Sequence, residues 1–127
     1  MSGEVDPFDL DAASLRRSQV ELSAFVEALA VRLEGALPGR VQIERRRDGL
    51  LSKTSHVARI VLACDHAVYE LSLSKGQLTT ARAKLVRGVT ISSASLKPSE
   101  WLAEVRGEVQ ALAEQAGAAS DVLHGFL

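Results

Sequence analysis

A chain of 127 residues, 46% hydrophobic and 24% charged, has the length and balance of one globular domain and little room for a second. Its single cysteine, Cys64, excludes an internal disulfide and a cysteine-rich zinc site, and no window approaches the ~20 apolar residues of a membrane-spanning helix. The acidic start, Met1 to Asp6, lacks the basic-then-apolar pattern of a signal peptide, so the expected location is cytoplasmic.

The net charge of −1 hides a segregation. Residues 1–39 carry three Arg against seven acids, a net of −4. Residues 40–97 carry eleven Lys and Arg against four acids, a net of +7, and residues 98–127 return to −4 with one Arg against five acids. Such asymmetry bears on partners rather than on fold. The eleven Arg against four Lys, with abundant Ala, fit a GC-rich bacterial genome.

Residues 1–10, with Gly3, Pro7 and several acids, read as a flexible tail, and residues 11–127 as one domain. Ser18-Gln19-Val20-Glu21 has the form of a capping box and opens a helix predicted over 18–37, closed by Pro38-Gly39; residues 11–17 are a possible backward extension. Leu22, Phe25, Val26, Leu29, Leu33 and Leu37 recur at helical spacing. Val20, Ala24 and Val31 fall on the opposite side, so the helix has two apolar faces and is expected to self-associate through the second, most simply as a homodimer.

From Arg40 the period changes to two. Strands are predicted over 40–47, 56–64, 67–74, 78–86 and 88–92, joined by short turns into an antiparallel meander of four to five strands. Opposed residues in a sheet share a face, which tests the register. A two-residue turn at Asp65-His66 sets Leu62 against Tyr69 and Ile60 against Leu71. A three-residue turn at Lys75-Gly76-Gln77 sets Leu71 against Ala81 and Tyr69 against Ala83, apolar against apolar. Pro98 then suits the first turn of a helix over 98–116, with Trp101, Leu102, Val105, Val109 and Leu112 on one stripe and Gly117 ending it. Ser120-Asp121 is read as capping a short last helix over 119–126. The class is α+β, one sheet with the N-terminal helix and one or two C-terminal helices on one face.

No constellation of residues announces catalysis. Cys64-Asp65-His66 is the most tempting, but Cys64 has inner parity while His66 sits in a turn, so a buried thiol beside a polar hairpin accounts for it. His56, His66 and His124 are scattered without metal-ligand spacing, and no glycine-rich phosphate loop precedes a helix. No cofactor and no metal are expected. The remaining signal is basic. In this register Arg46, Arg59, Arg82 and Lys84 share the outer sheet face, with Glu70 opposite Arg82, while Arg45 and Arg47 follow the inner parity and lie past the core or are turned out by a bulge.

The expected function is therefore a non-enzymatic interaction module, an adaptor, chaperone-like protein or regulatory subunit, that binds an acidic protein partner or a second copy through this basic face. A peripheral contact with an anionic membrane is a variant of that reading. The alternative is a non-specific nucleic-acid-associated protein, which the face disfavours by lacking aromatics for base stacking. A second alternative is an enzyme whose pocket the sequence does not mark.

Overall fold

A computed structural model describes the backbone of residues 12–125 and the side chains of residues 20–115. The expected tail lies outside the described residues. The elements run α1 (Ala12–Ala36), β1 (Val41–Arg47), β2 (Ser55–Ala63), β3 (Ala67–Ser74), β4 (Gln77–Val86), β5 (Val89–Leu96) and α2 (Pro98–Gly125). The strands pair in chain order as one five-stranded antiparallel sheet, flanked by the N-terminal and the C-terminal helix. Helix α1 packs against β1 and β2, and α2 against β4. Both contribute to one core on one face of the sheet. No helix among the described residues is long and apolar enough to cross a membrane.

The core follows the apolar periodicity. Val26, Ala30 and Leu33 of α1, with Leu37 just past its end, share one buried cluster with Val57, Ile60 and Leu62 of β2. Trp101 and Val105 descend from α2, and Tyr69, Leu71 and Leu73 of β3 lie in the same cluster. Phe25, assigned to the buried stripe, is 42% exposed, and Ala30 takes the covered position instead. Leu37 donates its amide to Leu33, and Gly39 turns the chain into β1 at φ 84°, a conformation that glycine adopts without a Cβ penalty. Pro98 begins α2 as expected, with the Trp101 amide donating to the Lys97 carbonyl.

Four expectations are corrected. Helix α1 starts at Ala12, so Ser18 lies inside the helix and is not its N-cap. Helix α2 runs unbroken to Gly125 through Gly117, so the separate short helix does not form. A helix tolerates an interior glycine at a cost of about 1 kcal/mol, and a break needs more than that. Strand β5 reaches Leu96, where a shorter strand was expected.

The fourth correction has the widest consequence. The β3–β4 turn holds two residues, Lys75 and Gly76, both with positive φ (52° and 74°), and Ser74 pairs with Gln77. Two central residues of positive φ make the tight hairpin turn whose twist matches the strands. The three-residue turn puts β4 out of register by one, and a one-residue slip exchanges the faces of the whole strand. Tyr69 lies opposite Arg82, Leu71 opposite Thr80, and Glu70 opposite Ala81. Thr80, Arg82 and Lys84 therefore belong to the helix-covered side, and Ala81 and Ala83 to the open one. The β2–β3 register at Asp65-His66 is the one the sequence predicts, with Leu62 on Tyr69 and Ile60 on Leu71.

Candidate binding surface

The six basic residues assigned to a common surface divide among three environments. Arg59 lies on the open face between two acids. Its Nε donates to Glu70 at 2.6 Å and its Nη1 to Glu44 at 3.1 Å, across β1, β2 and β3. The guanidinium holds Glu70 below the usual carboxylate range, and the carboxylates raise Arg59. One cation against two anions leaves this row with a net charge of −1. The rest of the open face toward β5 is small: Thr79, Ala81, Ala83, Ser93 and Ser95. The open sheet face is not the basic surface expected of it.

Arg82 and Arg45 sit on the helix side. Arg82 Nη1 lies 2.6 and 2.8 Å from the two carboxylate oxygens of Glu104 on α2. The Tyr69 hydroxyl donates to the same carboxylate at 3.2 Å, and burial pushes the phenol up to about 12, with Glu104 adding to it. Arg45 makes a two-pronged pair with Glu27 of α1 at 3.1 Å on each prong. Glu27 Oε1 also accepts the Val57 amide at 3.0 Å. A β-bulge explains the arrangement. Glu44 pairs with Arg59 and Arg45 with Val57, so Ala58 is the extra residue on β2. The bulge lies on β2, and β1 keeps its parity, so Arg45 stays beneath the helix where Glu27 meets it. Lys84, opposite Ala67, is exposed at the helix-side rim.

Glu104 and Glu108 stand four apart on α2, a like-charged spacing that costs the helix slightly unless it is compensated. Arg82 answers the first, and His66 Nε2 lies 2.8 Å from Glu108. Cys64 is buried, and desolvation, with Glu108 nearby, pushes its thiol up to about 11. Asp65 pairs instead with Arg40 at 3.3 Å. Asp65 thus turns to Arg40, while Cys64 and His66 both neighbour Glu108.

Arg46 and Arg47 remain exposed at the end of β1, opposite His56 and Ser55, with no carboxylate in ion-pair range among the described residues. They lead into the β1–β2 loop. Antiparallel topology brings this loop and the Lys75-Gly76 turn to the same end of the sheet. Both line a cleft of about 700 Å³ beside α1, with Val20, Ala24 and Glu27 on its helix wall. Arg46, Arg47, Lys53 and Lys75 therefore collect at this end, all exposed.

The loop is braced from within. Asp48 accepts from the Thr54 hydroxyl at 2.6 Å and lies 2.7 Å from His56 Nδ1. These two contacts hold the Asp48 carboxyl below its ordinary range, the Thr54 bond contributing most. The Asp48 amide donates to the Thr54 carbonyl, and Ser52 Oγ accepts the Thr54 amide. The one acid of the loop is thus engaged by its own neighbours. Above this brace the Ser52 amide donates to the Gly49 carbonyl, which closes a turn with Leu50 and Leu51 at its centre. They are 95% and 98% exposed. From sequence alone, residues 48–55 read as a connecting loop between the first two strands. The missed signal was an apolar pair at a loop centre between Arg45-Arg46-Arg47 and Lys53.

The second apolar row of α1 is uncovered by the described residues: Val20 is 68% exposed, Val31 is 67% exposed, and Ala24 is also exposed. Comparison with known families, curated proteins and solved structures finds no match to this chain.

Proposed function

We propose that the chain is an interaction module that holds an anionic partner against the loop end of its sheet. The observation that carries this reading is the division of its cations. Arg45, Arg59 and Arg82 are neutralised by Glu27, Glu44, Glu70 and Glu104 of the same chain. Arg46, Arg47, Lys53 and Lys75 come to one end of the sheet and make no ion pair among the described residues. A cluster of one sign at one end steers an oppositely charged surface and sets its orientation. The surface thus moves from the sheet face, where the sequence put it, to the loop end.

A catalytic reading would start from His56 and Asp48 at the rim of the cleft. Both Asp48 oxygens and both Glu27 oxygens are already held by structural donors, so the reading as a binding module is favoured. Self-association belongs to the same proposal, through the outward row Val20, Ala24 and Val31 of α1.

The test is the triple variant Arg46→Glu, Arg47→Glu, Lys53→Glu against three anionic probes: poly-glutamate, duplex DNA and anionic lipid vesicles. Wild type is expected to bind at least one, more weakly as salt rises, and the variant to lose that binding with its fold intact. Binding that survives the triple reversal reduces the loop end to solvated decoration. Preference for duplex DNA with a steep salt slope selects the nucleic-acid alternative.

A further inference from the structure

Turn centres are ordinarily occupied by Gly, Pro, Asn, Asp or Ser, each of which suits the turn backbone or bonds to it. Here the two central residues of the 49–52 turn are Leu50 and Leu51, and at 95% and 98% exposure neither is covered by the described residues. A local rule broken with no internal compensation marks a site shaped by something outside the fold. The brace beneath them has the opposite character. Asp48, Ser52, Thr54 and His56 form a closed set of hydrogen bonds that fixes the base of the turn and lifts the leucines away from the sheet.

We infer that the anionic partner is a lipid surface, and that Leu50 and Leu51 insert into it while Arg46, Arg47, Lys53 and Lys75 lie against its headgroups. This rests on the proposed loop-end binding site and names its partner. Three observations favour a membrane over a protein groove. The apolar element is convex and consists of two adjacent side chains that both project outward, and a fluid hydrocarbon layer receives such a pair without a complementary shape. The cations come from three chain segments, the end of β1, the loop and the β3–β4 turn, and so spread around the tip. A spread array matches a plane of anionic headgroups better than it matches a single carboxylate cluster. The only acid in the loop, Asp48, keeps its negative charge but is bonded by Thr54 and His56 in the brace at the base of the turn, not at its Leu50-Leu51 tip. Partial apolar insertion and electrostatic attraction to anionic lipid reinforce one another in peripheral binding, and neither alone suffices for stable attachment.

The experiment is flotation of the full chain with two kinds of vesicle, phosphatidylcholine alone and phosphatidylcholine with phosphatidylserine at about one part in three. Wild type is expected to float with the anionic vesicles, to stay behind with the neutral ones, and to detach as salt rises. Leu50→Ser with Leu51→Ser is expected to lower partitioning about tenfold or more, since two exposed leucines lose their place in the hydrocarbon. Its melting temperature should match wild type, because both side chains are exposed. If the leucine variant floats as well as wild type, insertion is overturned while charge-driven binding at the loop end stands. If wild type ignores vesicles but binds poly-glutamate or DNA through Arg46, Arg47 and Lys53, the lipid assignment falls and the proposed function survives. If wild type binds none of the three probes, both readings fall together.

Discussion

Arg82 of β4 and Glu104 of α2 meet carboxylate to guanidinium at 2.6 and 2.8 Å, on the covered face of the sheet, with the Tyr69 hydroxyl on the same carboxylate. The pair ties the C-terminal helix to the one strand whose register the apolar pattern misassigns. Arg82→Ala and Glu104→Gln are each expected to lower the melting temperature. The double variant should lose less than the sum, because each single change leaves the other group without its partner in a partly covered site. Additive losses would mean that the two residues do not interact in solution. That result would favour a register with Arg82 on the open face.

Trp101 is fully buried, donates its indole N–H to the Ala81 carbonyl at 3.2 Å, and meets Tyr69 edge-on with ring centroids 6.4 Å apart. Trp101→Ala is expected to cost about 3–5 kcal/mol, the range for truncating a large core aromatic. Chemical denaturation followed by circular dichroism measures it. A loss under about 1 kcal/mol would place Trp101 outside the core.

The Cys64 thiol and the Tyr69 phenol both titrate late, at about 11 and about 12, because burial disfavours their charged forms. The folded values lie above the unfolded ones. The associated stability is therefore fully present below the unfolded value of each group, about pH 9 for the thiol and about pH 10 for the phenol. It is lost as pH rises through the folded values. Denaturation midpoints should fall on that alkaline limb. Cys64→Ala should flatten its lower part and Tyr69→Phe its upper part. Labelling of native Cys64 by a thiol reagent at neutral pH should be slow, since the reactive thiolate is scarce and covered. Fast labelling would contradict its burial.

Val20 and Val31, 68% and 67% exposed, stand on the side of α1 turned from the core. Sedimentation at high micromolar concentration is expected to show a dimer, and Val31→Glu to shift it toward monomer without unfolding it. A wild-type monomer would remove self-association from the proposal.

Much of the architecture was legible because burial imposes period. Leu33 and Leu37 at helical spacing, and Ile60, Leu62, Tyr69 and Leu71 at alternating spacing, announced one helix and two central strands with their covered faces. Pro98 and Trp101 announced α2. The pattern failed on β4, where alanines alternate with Thr80, Arg82 and Lys84. There hydropathy favours burying the alanines, which are too short to fill the space beneath a helix. An arginine whose stem is apolar and whose charge meets Glu104 fills it instead.

What the chain alone determined was its class, its element order and the segregation of its charge, since each depends on residues near one another in sequence. Which cations stay free was decided only by the tertiary structure. Glu27 and Arg45 are 18 residues apart, and Arg82 and Glu104 are 22 apart. No local pattern says that such pairs will meet. Neutralisation requires contact; for Arg82 it follows from the two-residue turn at Lys75-Gly76, and for Arg45 from the bulge falling on β2, at Ala58, and not on β1. The turn takes Arg82 and Lys84 off the open face, and Arg46, Arg47, Lys53 and Lys75 are left exposed at the loop end, near Leu50 and Leu51.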